Sequence, residues 1–134
     1  MSDPFLRLRS LPLDLVVAGS LPEGFALRDV ESENDPDFGA FYRIRYEGPE
    51  GVVYVEGSTG GVGDPMAGGS SREFACPGLG SGTLEFYGAD SDEPVDFRSH
   101  WMQVGSSGGV YSVAGLRLDP EQAVLVAEGL TILP

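Results

Sequence analysis

Residues 97–130 read FRSHWMQVGSSGGVYSVAGLRLDPEQAVLVAEGL, in the order strand, glycine turn, strand, helix. The helix is the clearest part. Asp119 suits the N-cap, because its carboxylate can accept from the free amides of the first turn. Pro120 suits the first helical position, and Gln122 completes a capping-box pattern with Asp119. Ala123, Val126, Ala127 and Leu130 recur at i, i+3, i+4 and i+7, which makes one apolar stripe. Gly129 is expected to end the helix in the left-handed conformation, folding Leu130 back onto Leu125.

The two strands before the helix form a hairpin across residues 105–109. Alternation puts Phe97, Ser99, Trp101 and Gln103 on one face and Arg98, His100, Met102 and Val104 on the other. Trp101 and Phe97 are therefore expected to face the core together. On the returning strand Tyr111 and Val113 share a face, and Gly115 marks a bulge or a close approach.

Further strands precede this unit. Residues 41–47 alternate cleanly, with Tyr42, Ile44 and Tyr46 as a core face and Arg43, Arg45 and Glu47 as a wet one. Residues 25–33 and 52–56 flank them as strands, and residues 72–76 and 82–87 read as two more, with Leu84 and Phe86 on one face. Residues 1–20 are expected to add a strand or a short helix. Residues 57–71, GSTGGVGDPMAGGSS, hold too little apolar surface to pack and read as a flexible loop. The fold class that follows is α+β in one domain spanning 1–134: a mostly antiparallel sheet of about six strands, with the 119–128 helix on one face.

Charge excludes some functions. Eight arginines, with no lysine, stand against 21 acids, for a net charge of −13. Such a surface repels nucleic acid and anionic membranes. Cys76 is the only cysteine, so no internal disulfide forms and a cytoplasmic location is expected. Export is the alternative, since Arg7 and Arg9 precede an apolar run that Pro12 and Asp14 interrupt. No segment is long enough to insert in a membrane as a helix.

The candidates for chemistry are few. Ser107 sits in a Gly-x-Ser-x-Gly match, but its flanks are two strands rather than the strand and helix of a nucleophile elbow. Cys76 and His100 would make a thiol dyad if the fold brought them together. One cysteine and one histidine are too few for a zinc site. Asp29, Glu31, Glu33, Asp35 and Asp37 form one acidic run, and Asp90, Asp92, Glu93 and Asp96 another. Neither has EF-hand spacing, so solvated charge is expected rather than calcium. The glycine-rich loop lacks the lysine that a nucleotide loop needs. No catalytic, metal or cofactor set is expected.

Three short motifs, in order, carry a resemblance: Leu21-Pro22-Glu23-Gly24-Phe25, then Trp101 with its glycine turn and Val110-Tyr111-Ser112-Val113, then the helix from Asp119 ending in Ala127-Glu128-Gly129-Leu130. Over residues 21–133 the chain resembles a bacterial domain of unknown function found at the C-terminal ends of anti-sigma-factor-like and sporulation-related regulators. The resemblance implies an extracytoplasmic sensor or interaction module with no catalytic residues assigned. This chain differs in reading without a membrane anchor and in carrying the 57–71 loop. The expected function is a non-enzymatic binding or regulatory module, associating with a protein partner or forming a homodimer through a sheet edge or the exposed faces of its hairpins. The alternatives are a small hydrolase or thiol enzyme using Cys76 and His100 or Ser107, and a ligand cavity between sheet and helix.

Overall fold

The structure is a computed structural model that describes residues 5–6, 8–37, 39–49, 51–59, 70–77, 80–87, 94–103 and 109–133. Ser107, most of the glycine-rich loop and the acids Asp90, Asp92 and Glu93 lie outside the described residues.

The architecture is α+β, as the periodicity requires, with more strands than the six expected. A 3-10 turn (Leu8–Ser10) leads to β1 (Val16–Ala18), so the N-terminal segment supplies both a helical turn and a strand. There follow β2 (Ala26–Asp35), β3 (Gly39–Glu47), β4 (Val52–Ser58), β5 (Ser70–Cys76), β6 (Gly80–Phe86), β7 (Phe97–Ser99), β8 (Met102–Gln103), β9 (Val110–Leu116), α1 (Pro120–Glu128) and β10 (Leu130–Ile132). Two antiparallel meanders, β2-β3-β4 and β5-β6-β7, flank the central strand β9, with β8 pairing β9 beyond β7. β1 and β10 form a separate antiparallel ribbon. Among the described residues no helix is long and apolar enough to cross a membrane.

One face of the large sheet is the core. Tyr42, Ile44 and Tyr46 of β3 are buried there as the alternation predicts, opposite Gly57, Val55 and Val53 of β4. Tyr111 and Val113 of β9, Phe97 of β7, Leu84 of β6, and Phe74 and Cys76 of β5 continue it. The β1–β10 ribbon closes this face, with β1 against β4, and three tyrosine hydroxyls from the neighbouring β3 and β9 hold it. Tyr42 Oη donates to the Val16 carbonyl at 2.8 Å and accepts from the Val16 amide at 2.7 Å. Tyr46 Oη accepts from the Ala18 amide at 3.2 Å, and Tyr111 Oη donates to the Asp14 carbonyl at 2.7 Å. These bonds satisfy the edge of β1 that β10 does not pair, which would otherwise be bare backbone in an apolar layer. Burial raises the pKa of both Tyr42 and Tyr46 above the usual tyrosine value.

Helix α1 packs against β5, with Ala123, Val126 and Ala127 buried. Its capping box is formed: Asp119 Oδ1 accepts from the Gln122 amide at 2.8 Å, and Gln122 Oε1 accepts from the Asp119 amide at 3.0 Å. The expected left-handed Gly129 is not found; its φ is −94°. The chain runs directly into β10, so Leu130 is a buried strand residue while Leu125 stays exposed. Glycine is needed at 129 for closeness instead, since a Cβ there would meet Ser20 at 2.5 Å.

Two other expectations are corrected. β4 continues through Gly57 and Ser58, so the glycine-rich loop does not begin at 57. A Cβ on Gly57 would lie 2.3 Å from the Tyr42 ring; the missing side chain makes room for Tyr42 and Tyr111 together. Trp101 is half-buried and is absent from the core cluster that holds Phe97. The reason is a bulge. Arg98 pairs Ala114 and Met102 pairs Tyr111, so three residues on one strand oppose two on the other. One extra residue reverses the facing of everything beyond it, and Met102 takes the buried place expected for Trp101. Ser99 Oγ mends the ladder by accepting from the Val113 amide at 2.9 Å. Gly115 proves to be a close approach, with the Phe97 ring 2.7 Å from where its Cβ would sit.

Candidate functional site

The opposite face of the sheet is polar, and its centre is unusual. Hairpin register places Arg43 of β3 directly across from Glu56 of β4. Arg43 donates from Nε and Nη2 to Glu56 Oε2 at 3.0 and 2.9 Å. On the other side β9 offers only the small buried residues Ser112 and Ala114. Arg98 of β7 therefore reaches across β9, and its Nη1 donates to Glu56 Oε1 at 2.6 Å. The Glu56 side chain is 4% exposed, against 19% for Arg98 and 40% for Arg43. Arg43 also lies over the Tyr54 ring, 5.4 Å from its centroid, close enough for a cation–π contact.

Charges of alternating sign continue outward across the strands. Asp29 of β2 pairs with Arg45 at 2.7 Å, and Arg28 with Glu47 at 3.1 Å. Towards the other edge, His100 Nε2 lies 2.9 Å from Glu85 Oε1. A shallow depression of about 250 Å³ on this face is lined by Asp29, Glu31, Arg43, Arg45 and Tyr54. A second, of about 420 Å³, follows β2 along Val30–Glu33 beside Phe41. A third, of about 460 Å³, lies against β5 and β6 where Glu128 ends the helix, with Glu73 and Phe74 on its wall. Between helix and sheet, Ala123, Val126 and Ala127 belong to the same packed cluster as Phe74 and Cys76.

Cys76 and His100 are not brought together. Cys76 is buried on the core face, where its Sγ donates to the Leu130 carbonyl at 2.8 Å. His100 pairs with Glu85, which alternates with buried Leu84 and so points to the polar face. The acidic residues do not gather around a metal position either: among the described residues no group of three or more His, Cys, Asp or Glu could hold an ion. Asp29, Glu31 and Glu33 alternate along one face of β2, and Asp35 Oδ1 accepts from the Asp37 amide at 2.7 Å. Asp96 Oδ2 accepts from the Arg117 amide at 2.7 Å, which steadies the one described non-glycine residue with positive φ, 58°.

Sequence reasoning missed Glu56 and Arg98. The β3–β4 hairpin register would have paired Arg43 with Glu56, because its turn at 48–51 is short. Nothing local could have brought Arg98 to the same carboxylate, 42 residues away. Compared with known protein families, with characterised proteins and with solved structures, the chain matches none.

Proposed function

We propose that this chain is a non-enzymatic binding or regulatory module that works through the polar face of its eight-stranded sheet. The observation that carries the reading is the buried Glu56 between Arg43 and Arg98. Withdrawing ions from water is costly, and an apolar trio of similar volume would hold the strands as well. What the trio supplies instead is charge at fixed positions. Glu56 uses only part of the N–H groups of the two arginines, leaving donors for a partner's carboxylate or carbonyl groups. Tyr54 beside Arg43 adds the aromatic and arginine pairing that interfaces favour. The sheet between Cys76 and His100 supports binding over thiol chemistry. The regulatory part of the proposal rests on the motif resemblance alone.

Two measurements on the purified chain test this reading. Iodoacetamide at neutral pH should leave Cys76 unmodified until the protein unfolds, and native mass spectrometry should show polypeptide without a stoichiometric small molecule. Rapid alkylation of the folded chain would favour the thiol enzyme; a retained small molecule would favour an internal ligand site. We also propose a cytoplasmic setting, which rests on the single cysteine. Recovery of the full chain from the exported fraction of its host would overturn that.

A further inference from the structure

We infer that the free edge of β2 receives an extended basic segment of a partner protein, added as a further strand of the sheet. The inference rests on the binding-module reading and adds a second contact, at the sheet edge rather than on the arginine platform. β2 is ten residues long and, among the described residues, pairs only with β3. Edge strands are usually kept short, broken by proline or twisted by bulges. The one register shift in β2 falls between Leu27 and Asp29, so residues 29–35 run unbroken and contain no proline.

The side chains along this edge specify the partner. Asp29, Glu31 and Glu33 alternate on the polar face, and Val30 and Ser32 on the other, where Val30 packs against the core. Asp29 has Arg45. Among the described residues, Glu31 and Glu33 have no ion-pair partner. The 420 Å³ depression runs beside them and meets the 250 Å³ depression at Glu31. A strand laid along β2 repeats its side chains at the same two-residue spacing. Cations at alternate positions would then stand opposite Glu31 and Glu33, with apolar residues opposite Val30 and Ser32. Main-chain bonds would give affinity and the alternating pattern would give specificity.

A second copy of β2 is the wrong occupant, because antiparallel self-pairing would set acid against acid. Acids that keep like edges apart are a known guard against aggregation. The same repulsion leaves the edge complementary to a basic strand, which is specificity by exclusion of the wrong partner. The net charge of −13 adds long-range attraction that salt screens. The other edge differs: helix α1 packs against β5.

The test is fluorescence anisotropy with the full chain and labelled peptides that alternate arginine with valine. A glutamate–valine peptide serves as the charge control. An arginine–valine peptide methylated on alternate backbone amides serves as the strand control. The arginine–valine peptide should bind. Its affinity should fall about tenfold or more for a Glu31→Arg, Glu33→Arg double variant, and methylation should abolish it although the charge remains. Amide exchange in β2 should slow on binding. Equal binding of the methylated peptide would show attraction by charge alone and overturn the proposal, as would failure of the unmethylated peptide to bind. Should the double variant fail to fold, the methylated peptide decides on the unaltered chain. If the edge proposal fails while Cys76 stays inert and no small molecule is carried, the module reading stands without it.

Discussion

On the core face of the sheet, Tyr42, Tyr46 and Tyr111 turn their hydroxyls to the backbone around β1. On the polar face, Glu56 turns its carboxylate to Arg43 and Arg98. Both arrangements satisfy polar atoms that water cannot reach. They differ in what they are bonded to. The tyrosines hold main chain, so their partners stay in place as long as the ribbon stays docked. The arginines hold only another side chain, and on the proposed reading a partner's carboxylate shares them without any strand moving. A core face built of neutral phenols closes the fold, whereas the ions of the polar face bond to one another and leave the main chain to its strand partners.

Substitutions on the two faces would break or sharpen that contrast. Phe97→Ala removes a ring from the centre of the core face and should cost about 4 kcal/mol. Trp101→Ala, beyond the bulge, should cost only about 1 kcal/mol; urea unfolding compares the two, and equal losses would put Trp101 back in the core. Glu56→Ala leaves two arginines facing one another and should cost about 3 kcal/mol. Replacing all three residues with Met, Leu and Met should restore most of that stability while removing the charged platform. A triple variant as unstable as Glu56→Ala would show that the ions themselves hold the sheet.

Tyr42→Phe should cost about 2 kcal/mol, because both the N–H and the C=O of Val16 lose their partner. The same residue sets a pH dependence. A tyrosine in water ionises at about pH 10, whereas burial raises the pKa of Tyr42 and Tyr46 in the fold. Above that pH the unfolded chain gives up protons that the folded chain keeps, so stability should fall as pH rises. Tyrosinate absorbance should appear together with loss of secondary structure; smooth ionisation without unfolding would contradict the buried hydroxyls. Asp119→Ala should have the smallest effect, about 1 kcal/mol from the helix cap, read as a lowered melting temperature.

Much of the fold is legible in the residues. Period-two alternation at Tyr42, Ile44 and Tyr46, and the cap and stripe from Asp119 to Ala127, each state their own environment. The facing of Trp101 was not legible, because alternation assumes an unbroken ladder, whereas residues 99–101 oppose only two residues of β9 and the Ser99 hydroxyl takes up the Val113 amide. Gly57 was unreadable for a related reason: a glycine that opens a loop and one that admits two tyrosine rings look alike in a sequence. Of the candidate site, only the Arg43 and Arg45 face was visible.

The sequence by itself determined the α+β class, the wet and dry sides of β3, the capped helix and the strong negative charge. These depend on spacing along the chain and on composition, which are local or summed properties. The tertiary structure alone decided that Arg98 shares a carboxylate with Arg43, that Cys76 and His100 occupy opposite faces, and that β2 is the last of the described strands on its side of the sheet. Each of these depends on strand order, and strand order is fixed by which distant segments bury one another.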